Sequence, residues 1–170
     1  MMQLKMRTMM LMAGLLFTAS FAQAIPMTFG GTLIGNPPCD ITGDDDPITV
    51  KFGEVGISRI DGINFAQPFT LRVSCGNDLG NNVALFMGYD GMNANFDNRA
   101  LQTSKSGLGI LLSYNGTVIK PDNGDIPITM SSNGIAYIPL VAVPVKDSDP
   151  GLVLFEGPFN ATGTVEIRYP

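Results

Sequence analysis

The chain has 170 residues, 45% of them hydrophobic and 15% charged, with a net charge of −5, two cysteines and no histidine. The missing imidazole removes Ser-His-Asp and Cys-His catalysis and most zinc sites. Acidic composition with scattered Lys and Arg argues against a nucleic-acid partner, and no Gly-rich phosphate loop opens a helix after a strand, so no cofactor is expected.

Residues 1–24 read as a signal peptide. Lys5 and Arg7 form the positive start, Met9 to Phe21 the short apolar stretch, and Ala22-Gln23-Ala24 the small-x-small cleavage site. The apolar stretch is too short for a membrane span. Cleavage leaves residues 25–170, a single-domain length, and removes six of the ten methionines together with Lys5 and Arg7, taking the net charge to −7.

Residues 25–36 form an N-terminal extension. Ile25, Met27, Phe29, Gly31 and Leu33 fall on one face of a strand, with Thr28, Gly30 and Thr32 on the other. Gly35-Asn-Pro-Pro38 sets this strand off from the rest of the chain. It is either the first strand of the chain's own sheet or a detachable one, and Gly31 permits close approach of another backbone.

Cys39 and Cys75 are an even pair in an exported chain, which predicts one disulfide between strands. Closing a loop across 36 residues contributes about 4 kcal/mol in the chain-entropy view. Asp44-Asp45-Asp46 lacks the alternating ligands and closing Glu of a calcium loop and reads as a solvated turn.

The remainder predicts an all-β fold. Strands are expected at Ile48–Phe52, Phe69–Ser74, Val83–Met87, Gly109–Tyr114, Thr117–Ile119, Ile126–Met130, Ile135–Val145 and Phe159–Tyr169. Asn115-Gly116 and Asn133-Gly134 are hairpin signals. Pro139 and Pro144 within Ile135–Val145 predict an edge position or a bend. About seven short strands with one inter-strand disulfide suggest an immunoglobulin-like sandwich.

The last segment has the cleanest alternation. Phe159, Ala161, Gly163, Val165, Ile167 and Tyr169 share one face, and Asn160, Thr162, Thr164, Glu166 and Arg168 the other. The sequence has no later element to cover this strand. It is therefore expected either to pair beside an earlier strand in the ordinary way or to present an open edge and an apolar face, which natural sheets avoid.

Together these features resemble the pilin subunits of the chaperone–usher pathway, close to the minor tip-fibrillum and adaptor subunits of P and type 1 pili. The resemblance rests on the signal peptide, the alternating extension ending in Pro-Pro-Cys39, the Cys75 that closes the Phe69–Ser74 strand, and the segment Gly107 to Pro121. Its most specific part is Gly157 followed by alternating apolar residues to the penultimate Tyr169. The spacing between Gly31 and Cys39 is one residue longer than the family pattern, and the chain ends in Pro170, which has no N–H to donate.

The resemblance implies an incomplete immunoglobulin-like sandwich lacking its seventh strand, with residues 37–170 as the pilin domain. Gly157, Phe159, Ala161, Gly163, Val165, Ile167, Tyr169 and Pro170 would edge an acceptor groove that also binds a periplasmic pilus chaperone. Ile25, Met27, Phe29, Gly31 and Leu33 would be the donor face inserted into a neighbouring subunit at the outer-membrane usher. The product is a surface fimbrium, and no small-molecule substrate or metal is expected. Two other classes remain: a carbohydrate-binding tip adhesin, which usually carries an extra lectin domain and lacks a donor extension, and a small periplasmic enzyme, which needs a convergent polar site.

Overall fold

A computed structural model describes residues 38–43, 47–76, 85–122 and 124–169. The described chain forms ten strands and a single 3₁₀ turn at Ile57–Arg59. In order, the strands are β1 (Asp40–Thr42), β2 (Gln67–Ser74), β3 (Leu85–Gly91), β4 (Asn93–Ala94), β5 (Asp97–Gln102), β6 (Leu108–Tyr114), β7 (Thr117–Ile119), β8 (Gly124–Ile128), β9 (Ile135–Lys146) and β10 (Gly163–Arg168).

Two antiparallel sheets result. The larger runs β1-β2-β9-β6-β5-β4, with β7 also on β6, and the smaller runs β10-β3-β8. Their inner faces meet in one core. Leu71 and Val73 of β2, Met87 of β3 and Leu140 of β9 are at most 1% exposed. Strand β2 alternates inner and outer positions along its length, which is the pattern a two-sheet sandwich requires.

The disulfide forms as expected, with Sγ atoms of Cys39 and Cys75 at 2.09 Å. It staples the short edge strand β1 to β2 beside the Asp40–Ser74 pair. Asn115 and Gly116 take φ of 49° and 78°, making the tight turn between β6 and β7. Asn133-Gly134 does make a turn, but it joins strands of different sheets, β8 to β9, so it is not a hairpin.

Strand β9 corrects the expectation drawn from its prolines. It is a continuous strand of 12 residues in the middle of the larger sheet. It pairs with β2 through Ile135–Ala142 and with β6 through Leu140–Lys146. Pro139 and Pro144 lie outside the short stretch that pairs on both sides, so each occupies a locally one-sided position where a missing N–H is tolerated.

The expected strand at Ile48–Phe52 also differs. Ile48, Val50 and Phe52 are half-buried and Thr49 and Lys51 exposed, yet the segment belongs to neither sheet. Its alternation reflects packing on the core, not a hydrogen-bonded ladder. Val83, the expected start of the strand ending at Met87, lies outside the described residues, and β3 itself runs on to Gly91.

Candidate functional site

A long groove of about 1540 Å³ lies between two extended segments. One rim is the unladdered run Pro47–Val55, and the other is Leu154–Val165, leading into β10. The floor consists of inward side chains of the larger sheet, including Leu71, Ile110, Leu112, Leu140 and Ala142. Tyr89 of β3 and Leu101 of β5 also face it. The lining is mainly aliphatic, with Lys51, Glu54 and Glu156 on the rims and Lys105 on the loop after β5.

Strand β10 forms the inner edge of this groove because, among the described residues, it has a ladder partner on one side only. Its residues Gly163–Arg168 pair with Gly91–Phe86 of β3, and it ends the smaller sheet. Val165, Ile167 and Tyr169 turn toward the core but stay half-buried, and Phe159 does the same. Fully laddered strands bury the equivalent side chains, as Met87, the partner of Ile167, shows at 0% exposure.

The predicted edge residues do not all behave alike. Ala161 and Gly163 are exposed, and residues 159–162 lie before the ladder begins. The reason is geometric: β3 ends at Gly91, opposite Gly163, so nothing in the smaller sheet reaches further back. The loop after β5 takes over. Ser104 donates its N–H to the Asn160 carbonyl at 2.8 Å, Asn160 N–H donates to Ser104 Oγ at 3.1 Å, and Lys105 Nζ donates to the Glu156 carbonyl at 2.9 Å. Gly157 adopts φ of 119°, a conformation L side chains rarely take, which explains glycine at this bend.

Across the groove, the rings of Phe52 and Phe159 lie 6.0 Å apart at 39°. At the far end, the Tyr169 hydroxyl lies 3.5 Å from Cys39 Sγ, so the end of the edge strand sits against the disulfide. Desolvation raises the Tyr169 phenol, and burial pushes Tyr89 up to about 12.

On the opposite face of β10, Arg168 bonds Asp90 at 2.8 Å, Asp125 at 2.9 Å, and Glu166. The Glu166 hydrogen bond, followed by the nearby charges of Glu166, Asp90 and Asp125, holds the guanidinium pKa above its ordinary value.

Sequence reasoning finds the half-buried edge residues but misses Phe52, Lys105 and the Arg168 cluster. In the sequence Phe52 reads as an ordinary strand residue. The alternation signal reports the face a residue occupies and says nothing about which loop or carboxylate meets it. Ile25, Met27, Phe29, Gly31, Leu33 and Pro170, the signal segment and Asp44-Asp45-Asp46 lie outside the described residues. Among the described residues, no group of three or more His, Cys, Asp or Glu side chains is placed to hold a metal ion.

Comparison with known proteins adds three likenesses and a family. Residues 27–170 match the family model described as Fimbrial protein. The uncharacterized fimbrial-like protein YfcQ of Escherichia coli (strain K12) is 29% identical over 145 residues, covering 84% of this chain and 86% of that protein. YfcR of the same strain, also described as fimbrial-like, is 30% identical over 136 residues, covering 78% and 74%. The crystal structure of the P pilus rod subunit PapA aligns over 78% of this chain and 99% of its own at a TM-score of 0.63, with 19% identity. That last likeness is one of fold, and it identifies the two-sheet sandwich as the immunoglobulin-like sandwich of pilin subunits.

Proposed function

Because the chain belongs to the fimbrial protein family, we propose that it is a structural subunit of a bacterial surface pilus built by strand exchange. In this reading a periplasmic chaperone first lends a strand to the groove. At the outer-membrane usher, the N-terminal extension of a neighbouring subunit then replaces it. This chain's own extension, residues 25–36, enters the groove of another neighbour in turn. Residues 1–24 direct export and residues 37–170 form the pilin domain. The place proposed for it in the fibre, minor or adaptor-type, rests on the overall resemblance to tip-fibrillum and adaptor subunits.

The observation that carries the proposal is that, among the described residues, β10 is paired on one side only, beside a long apolar groove. An added strand would use the open N–H and C=O groups of β10 for affinity and seat alternate side chains on Leu71, Ile110 and Leu140 for specificity. It would also hide an edge that otherwise templates aggregation.

The test separates donor from acceptor within one chain. Phe29→Asp should block insertion into a neighbour's groove and leave chaperone capture intact, because an unpaired carboxylate in a dry site costs several kcal/mol. Ile167→Asp should abolish chaperone capture. Thr28→Asp, on the other face of the extension, should be milder than Phe29→Asp. Pairwise pull-downs with chaperone and with a neighbouring subunit measure all three. Equal loss of chaperone binding from Phe29→Asp and Ile167→Asp would put both strands in one closed sandwich and end the proposal.

A further inference from the structure

The outer face of the smaller sheet carries an arrangement that ordinary strand pairing does not require. Glu166, Gly88 and Asp125 stand side by side across β10, β3 and β8. From one row away, the Arg168 side chain lies over Gly88 and reaches carboxylates on all three strands. A Cβ at position 88 would fall 2.6 Å from the guanidinium carbon, so glycine in this strand interior is what lets the side chain cross. A guanidinium, with five donors in a fixed fork, can serve three acceptors at once, which a lysine ammonium on a flexible stem does poorly. These bonds leave the open edge of β10 untouched.

We propose that Arg168 is a positioning residue for strand acceptance. It clasps the back of β10 to β3 and β8 and so holds the open edge in the register that presents Val165 and Ile167 to an incoming strand. The idea rests on the acceptor-groove reading above but makes a separate claim about what fixes the edge. Among the described residues β10 has one ladder, six residues long, and half-buried side chains. Such a strand frays unless something else restrains it. The clasp supplies that restraint from the face no donor touches.

The experiment uses the mature chain refolded at low concentration with a synthetic peptide of residues 25–37. It follows peptide uptake and amide exchange at Gly163–Arg168 and at β9. Arg168→Gln should slow uptake and speed exchange in β10 on the order of tenfold, since charge-assisted hydrogen bonds are lost, while β9 amides stay unchanged. Arg168→Lys should fall between, and Asp125→Asn, which leaves the arginine in place, should show the same pattern at smaller size. A purely structural role would instead accelerate exchange in β9 and β10 alike, and that outcome overturns the proposal. So does wild-type uptake and exchange in both Arg168→Gln and Asp125→Asn. If the wild-type chain takes up no peptide, the acceptor reading is judged on capture by the chaperone, and the clasp on β10 exchange in the peptide-free chain by the same criteria.

Discussion

Strands β9 and β10 are both strongly apolar on their inner face, yet they live in different physical situations. β9 pairs with β2 and β6, and its inward Ile138 and Leu140 are 3% and 1% exposed. Among the described residues β10 pairs with β3 alone, and its inward Val165 and Ile167 are only half-buried. Inner-face apolarity therefore gives burial only when the layers around a strand are complete. The deficit at β10 coincides with the groove between Pro47–Val55 and Leu154–Val165, which the described residues leave without a covering strand.

Truncation at the two strands should separate these situations. Leu140→Ala leaves a cavity in a closed layer and should cost about 3 kcal/mol, whether or not a donor strand is bound. Ile167→Ala removes a side chain that is half-buried on the edge strand and should cost about 1 kcal/mol in the bare chain. Its cost should rise once a donor strand is supplied, because the same methyl groups are then fully buried. Denaturant midpoints of both variants with and without donor measure the contrast. A donor-independent cost at Ile167 would remove the difference between the strands.

A smaller effect sharpens the comparison at Tyr89, which faces the groove from β3. Burial lifts its phenol from 10 to about 12, so the folded state holds its proton where the unfolded chain has lost it. That contribution to stability is complete below pH 10 and declines as pH rises through 12. Its loss should reach about 1.4 kcal/mol near pH 11, one pKa unit above the unfolded value. Comparing alkaline unfolding of the wild-type chain with Tyr89→Phe isolates it, and the two curves should part above pH 10.

Much of this contrast was legible in the sequence, for identifiable reasons. Period-two alternation marked the inner face of β10, and Asn115-Gly116 marked the β6–β7 turn because both residues accept positive φ. The disulfide followed from two cysteines and an export signal. The prolines of β9 misled, because a one-dimensional pattern cannot show that a long strand changes partners partway along. β5 was missed because Asp97-Asn-Arg-Ala-Leu-Gln102 has neither alternation nor β-branched residues, and it is a strand through its pairing with β6. The groove appeared in sequence only as an apolar face. Its second rim, the Phe52–Phe159 contact and the Arg168 clasp are meetings of residues far apart in the chain, and no local signal encodes them.

The central claim is that this sandwich is one strand short, and fusing a donor strand tests it most directly. The mature chain and the same chain with the sequence of residues 25–34 joined after residue 170 through a flexible linker should be compared by thermal unfolding at equal concentration. An added strand that binds only the folded state stabilises it by linkage. A sandwich one strand short predicts an aggregation-prone bare chain with a low, broad transition, and a soluble fused monomer with a single transition at much higher temperature. A bare chain that already unfolds as a cooperative, high-melting monomer and gains nothing from the added strand would contradict it.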